Sequence, residues 1–225
     1  MKKILVVAAH PDDEILGCGG TVSRMIKEGF ESYTLILGEG ITSRDQVRDI
    51  KKRKNEVENL KKQIYKAASI IGTRDVFLYN FPDNRFDSID LLDIIKVVEK
   101  VKTDIRPDII FTHYGGDLNI DHRITYETVM VATRPLVGET VKEIYAFKTL
   151  SSTEWGFPSG FDPDVFFDIT DSIDIKCKAF QTYKSELRGF PHPRSLEGIK
   201  TDAAYWGMRT GVNYAEAFMS IRVLR

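Results

Sequence analysis

Four apolar runs, at 4–9 (ILVVAA), 32–38 (SYTLILG), 75–81 (DVFLYNF) and 108–114 (DIIFTHY), constrain the fold of this chain more than any other feature. They are apolar nearly without interruption rather than alternating with polar residues. That pattern suits strands covered on both faces, as in a parallel sheet. Between them the apolar spacing turns helical. Across 45–72 it picks out Val47, Ile50, Val57, Leu60, Ile64, Ala67 and Ile71. Across 88–103, Ile89, Leu92, Ile95 and Val98 share a face, with Asp87 or Ser88 as cap. A further helix follows Asp121 and ends near Pro135. Alternating strands and helices predict an α/β chain with a doubly wound, mostly parallel sheet and helices on both faces. Beyond it the pattern predicts strands at 142–148, 164–169 and 216–223 and helices at 171–187 and 197–208.

A chain of 225 residues with no internal repeat or low-complexity linker is expected to form one domain, 1–225. Its net charge of −1 creates no field that would draw nucleic acid or a membrane surface. The two cysteines, Cys18 and Cys177, are too few for a thiolate metal site or a disulfide framework, so a reducing cytoplasm is the expected setting. No stretch is long enough to span a bilayer, and the apolar run before His10 is too short for a signal peptide. The basic cluster Lys51–Lys54, flanked by Asp49, Glu56 and Glu58, reads as a solvated helix face.

The first run ends in His10-Pro11-Asp12-Asp13-Glu14, one imidazole and three carboxylates in five residues. Adjacent aspartates repel unless a positive charge lies beside them. In an open parallel sheet, ligands bind where strands end. His10 follows the first strand, His113 ends the fourth, and His122 opens the next helix. If the turn begins at Pro11, His10 and Asp13 can point to one side. His122 then completes a nitrogen–oxygen–nitrogen set of three ligands for a divalent metal, leaving a place for water as catalytic zinc requires. Asp12 is left free to act as general base on water whose pKa the metal lowers to ~7. An N-capping aspartate pair explains one carboxylate but not the histidines. A Gly-rich nucleotide turn at LGCGGT fails, since position 22 is Val, and the glycines suit close helix–sheet packing instead. A phosphate-accepting aspartate pair leaves His10 and His122 without a role.

AHPDDE after a first strand and a later DHR after a fourth resemble the zinc-dependent deacetylases of the LmbE-like (PIG-L) family, which remove N-acetyl groups from N-acetylglucosamine-type sugars. The resemblance extends over GEGITSR (38–44), FPDNRFD (81–87), THYGGDLNIDHR (112–123) and ELRGFPHPRS (186–195). It implies a Rossmann-like fold. It also implies His10, Asp13 and His122 as ligands of Zn2+ or another divalent transition metal, and Asp12 as base. Arg44 and Asp83 resemble sugar-binding positions, and Arg85 shares their rim. One departure stands out: the family's H-x-D-H reads Asn119-Ile120-Asp121-His122 here. Asparagine can donate to an oxyanion but cannot protonate a departing amine. Either Asp12 carries out both proton transfers, or His192 or His113 supplies the missing imidazole with Asp121 orienting it; His192, between two prolines, is preferred.

The expected activity is therefore hydrolysis of an N-acetyl sugar or sugar conjugate to acetate and a free amine. Hydrolysis of another amide or ester, and a non-catalytic sugar- or nucleotide-binding module, are the competing readings. The expected partner is a small molecule, with no nucleic acid and no membrane span; homo-oligomer formation stays open.

Overall fold

The computed structural model describes residues 1–225 except 45, 46 and 159, and the backbone but not the side chain of Arg44. The elements run β1 (Lys3–Ala8), α1 (Asp13–Lys27), β2 (Glu31–Gly38), α2 (Lys54–Ile71), β3 (Asp75–Phe81), α3 (Leu91–Ile105), β4 (Ile109–His113), α4 (Ile120–Ala132), β5 (Glu143–Phe147), β6 (Val165–Asp168), α5 (Ile173–Phe180), α6 (Leu196–Thr210) and β7 (Ala215–Val223). They form one seven-stranded sheet in the order β3-β2-β1-β4-β5-β7-β6. Strands β1 to β5 pair in parallel, and β7 is antiparallel to both β5 and β6.

Strand β1 shows why the runs are continuously apolar. Ile4, Val6 and Ala8 enter one core with Ile15, Val22, Leu60, Ile64 and Phe180 of α1, α2 and α5. Leu5, Val7 and Ala9 enter the other with Ile94, Val98 and Val129 of α3 and α4. The sheet is thus wound on both faces, as the pattern predicts. Its order reverses between β1 and β4, so a crevice opens beyond their carboxyl ends.

The glycines of α1 serve close packing. A Cβ on Gly17 would lie 2.2 Å from the Phe147 ring of β5, and one on Gly20 would lie 2.9 Å from Ile169. Cys18 is buried beneath them.

Some boundaries differ from the sequence pattern. The expected helix over 45–72 begins only at Lys54; residues 45 and 46 lie outside the described residues. Val47 is exposed and precedes α2, whose buried positions are Leu60, Ile64, Ala67 and Ile71. Val47 and Ile50 matched the spacing without joining the helix face that packs. Lys51, Lys52 and Arg53 accordingly lie in turns before α2. In α3, Leu92 is exposed, while Asp87 and Ser88 belong to a separate short turn before it. Helix α5 stops at Phe180 rather than 187, and the following turns bury Tyr183 in the core.

Candidate active site

The carboxyl ends of β1 and β4 deliver the chemistry. β1 releases the chain into His10 and Pro11, and α1 begins at Asp13. Between them Asp12 adopts φ 99° and ψ −27°, a backbone conformation that costs a non-glycine residue ~1–3 kcal/mol. Asp12 occupies the N-cap position, yet its side chain makes no capping bond. Opposite, Asn119 caps α4: its Oδ1 accepts the Asp121 N–H at 2.8 Å. That cap sets Asp121 and His122 in the first turn of α4, facing the end of β1.

His10, Asp13 and His122 meet, each offering a donor atom within 4.8 Å of the other two. His10 Nδ1 lies 3.4 Å and His122 Nε2 lies 3.3 Å from Asp13 Oδ2. His122 Nε2 and Asp13 Oδ1 are buried and have no hydrogen-bond partner among the described residues. Unpaired buried polar atoms are costly, and two of them within one donor set of two histidines and an aspartate suit a cation. The outward nitrogens complete the pattern. His10 Nε2 donates to Asp121 Oδ2 at 2.9 Å, and His122 Nδ1 meets Asp117 Oδ1 at 3.1 Å. Each carboxylate fixes its ring's tautomer and turns the other nitrogen's lone pair inward, as carboxylates behind metal-bound histidines do.

The electrostatics agree. Burial opposes charge on His10, but Asp121, Asp13 and Asp83 outweigh it and hold its pKa well above the ordinary value. At His122 burial is likewise overcome by Asp13 and Asp117, and the pKa is raised. Burial pushes Asp13 up, yet His122, His113 and His10 hold it well below the usual carboxylate range. Asp117, despite burial, falls to about 2 through His122, Ser152 and Thr153. The centre favours positive charge. Its donor set of two imidazoles and a carboxylate fits a divalent transition metal, whose binding would displace any proton from the ligating nitrogens.

Asp12 sits beside this set but outside it. Its Oδ2 takes a charged hydrogen bond from Arg194 Nη1 at 3.1 Å, and its N–H donates to Glu14 Oε2 at 2.9 Å. Burial, with help from Asp13, Glu186 and Glu14, raises the Asp12 pKa well above its ordinary value against the pull of Arg194.

A family model described as "PIG-L: GlcNAc-PI de-N-acetylase" matches residues 5–133, more than half of the chain and the span holding this donor set. The chain belongs to that family. It is 30% identical over 82% of its length to the uncharacterized deacetylase YaiS of Escherichia coli K12, covering 91% of that protein. To the diacetylchitobiose deacetylase of Thermococcus kodakarensis it is 26% identical, covering 96% of this chain and 82% of the other. The crystal structure of a conserved protein from Thermus thermophilus, TT1542, superposes with a TM-score of 0.78 at 26% identity, over 100% of this chain and 97% of that one. The fold and the enzyme class, a deacetylase family, are those expected from AHPDDE.

Within this PIG-L frame the remaining expected residues fall into two groups. Asp83 is buried in the site: its Oδ1 lies 3.4 Å from His10 Nε2, and its Oδ2 accepts the Ser43 N–H at 3.1 Å. Arg85 stands half-buried two positions on, and the Arg44 side chain lies outside the described residues. The residues proposed to replace the missing histidine are placed differently from expectation. Asp121 orients His10, and its other oxygen accepts the Phe86 N–H at 2.9 Å, so it is already engaged and holds no acid histidine. His192 accepts the Arg194 N–H on Nδ1 at 3.0 Å and packs edge-on against Trp155 at 5.5 Å. His113 is buried and stacked on His122 at 4.0 Å. Its Nε2 accepts the Ala9 N–H at 2.9 Å and its Nδ1 meets Thr149 Oγ1 at 3.2 Å, so neither nitrogen is open to substrate. Burial, then the neighbouring His122, drives its pKa well below the ordinary value. Asn119 commits Oδ1 to the cap and gives one amide N–H to Asn84 Oδ1 at 2.7 Å, which leaves its second amide N–H as a donor.

Sequence reasoning missed the layer from the other half of the sheet. After β5, Ser152 and Thr153 donate to Asp117, Thr149 meets His113, and Ser151 Oγ accepts from Arg194 Nε. These residues and Arg194 lie beyond the span that the family model matches. The strand-end rule, applied to β5 as it was to β1 and β4, points at Thr149–Thr153. Arg194 stands two residues from the histidine in FPHPRS that drew attention instead.

Proposed function

We propose that the protein is a zinc-dependent N-deacetylase that hydrolyses the acetamide of an N-acetylglucosamine-type sugar or sugar conjugate, giving acetate and a free amino sugar. The observation that carries this reading is the meeting of the His10, Asp13 and His122 donor atoms on a PIG-L frame, with His122 Nε2 and Asp13 Oδ1 buried and unpartnered among the described residues. His10, Asp13 and His122 would hold the ion. When bound, zinc or another divalent transition metal supplies a Lewis acid for the amide carbonyl and acidifies water to a pKa of ~7.

The chain's own residues handle the protons. Arg194 fixes Asp12 Oδ2 and leaves the second carboxylate oxygen to take the proton of the attacking water. With His113 sealed behind His122 and His192 turned to the Arg194 backbone, Asp12 also returns that proton to the departing amine nitrogen. Burial raises its pKa, which favours its taking up the proton it must then pass on. Asp121 and Asp117 orient the two imidazoles. The loop after β3, with Asp83 and Arg85, and the segment after β2, with Arg44, form the sugar-facing rim.

The test is metal analysis followed by acetate-release assays over free, nucleotide-linked and lipid-linked N-acetyl sugars. Stoichiometric zinc with acetate release from at least one of them is the expected result. A metal-free protein that binds nucleotide and releases no acetate would replace this reading with a binding module.

A further inference from the structure

Glu14 is the carboxylate of HPDDE that neither the donor set nor the proton transfers use. It is buried, and both of its oxygens are engaged. Oε2 accepts the backbone N–H of Asp12 at 2.9 Å, and Oε1 accepts the hydroxyl of Tyr183 at 2.5 Å. Tyr183 is fully buried and comes from the turns after α5, so a distant segment locks the Glu14 side chain in place. At the other end of this chain of bonds is the one residue of the HPDDE turn with positive φ, Asp12 at 99°.

A non-glycine residue stays in such a conformation only when its surroundings hold it there. Its carbonyl is fixed by the N–H groups of Ile15 and Leu16 at the start of α1. Its N–H is fixed by Glu14. Release of that N–H lets φ relax, which swings the Cα–Cβ direction and carries the carboxylate away from the reacting centre. We propose that Glu14, locked by Tyr183, is a positioning residue that holds Asp12 in its strained backbone conformation and thereby aims its carboxylate. This rests on the reading of Asp12 as the group that moves the proton.

Glu14→Ala, Glu14→Gln and Tyr183→Phe separate positioning from bulk structure. Glutamine keeps one acceptor for the Asp12 N–H and offers an N–H to the tyrosine oxygen, which can accept it. Acetate release is measured on N,N′-diacetylchitobiose and N-acetylglucosamine with zinc content determined in parallel. Glu14→Ala is expected to keep its zinc and its KM while kcat falls ~10²-fold, the effect of a misplaced catalytic group. Glu14→Gln is expected to restore most of that loss, and Tyr183→Phe to show a smaller loss of the same kind. Combined with Asp12→Asn, Glu14→Ala should add nothing, because it acts through Asp12. Wild-type kcat in Glu14→Ala, or a loss that multiplies with that of Asp12→Asn, overturns the proposal.

Crystal structures of the variants decide the matter without activity. Residue 12 is expected to leave positive φ in Glu14→Ala and keep it in Glu14→Gln; positive φ retained in Glu14→Ala refutes the positioning role. If the wild type releases no acetate from either sugar, the choice of substrate falls, and the φ of residue 12 still decides this inference. Should Glu14→Ala not fold, Tyr183→Phe, which preserves the volume, carries both readouts.

Discussion

Two buried charged clusters lie along α1, and they differ in how completely they are satisfied. In the middle of the helix, Glu216 of β7 accepts the N–H groups of Gly20 and Thr21 and pairs with Lys176 of α5 at 2.6 Å, while Lys176 also donates to the Leu16 carbonyl. Each charge there has an opposite charge and backbone partners within the chain. At the first turn, Asp13 and His122 leave buried atoms unpartnered among the described residues, Asp12 is strained, and Arg194 faces several carboxylates. Burying charge is tolerable only with partners, so the completed cluster ties β7 and α5 to α1. The uncompleted one leaves donor atoms that a bound cation would satisfy. The pairing of the charged groups distinguishes the two clusters, whereas charge and burial, which they share, do not.

That contrast can be attacked from both sides. Asp12→Asn should keep fold and metal and lose ~10²–10⁴-fold in turnover, because an amide cannot accept the proton. Wild-type acetate release by a fully metallated Asp12→Asn protein would remove the general base from the account. Glu216→Gln leaves Lys176 buried without its counter-charge, and urea unfolding should show a loss of ~3–5 kcal/mol with kcat of the folded protein unchanged. If that variant is as stable as the wild type but catalytically impaired, the two clusters have been assigned the wrong way round. Asp117→Asn weakens the hold on His122 Nδ1 without touching the inward donors. Zinc competition with a chelator should then report a ~10–100-fold loss of affinity. Unaltered affinity would mean that the packing of His113 fixes the ring without the carboxylate.

Much of this was legible in the sequence where one residue type forces one answer. Continuous apolar runs such as ILVVAA required a strand covered on both faces, and the strand-end rule then placed His10, Asp13 and His122 together. Partners chosen by tertiary packing were not legible. Asp121 carries the spacing of an acid-orienting residue, yet the cap by Asn119 turns it towards His10. His192 has the chemistry of a proton donor, but the loop presents Arg194 to Asp12 instead. His113 is the last residue of β4, where its ring stacks on His122 and accepts the Ala9 N–H, whereas His10 lies two residues past the end of β1. Before α2, Val47 and Ile50 had the right periodicity, but Val47 is exposed and neither residue joins the helix.

The central claim is that the unpartnered atoms of the first-turn cluster are metal ligands. It is tested most directly by zinc content after equilibrium dialysis of the wild type and His122→Ala, with folding checked by circular dichroism. The account predicts one equivalent per chain in the wild type and none in the folded variant. A full equivalent retained by His122→Ala would contradict it.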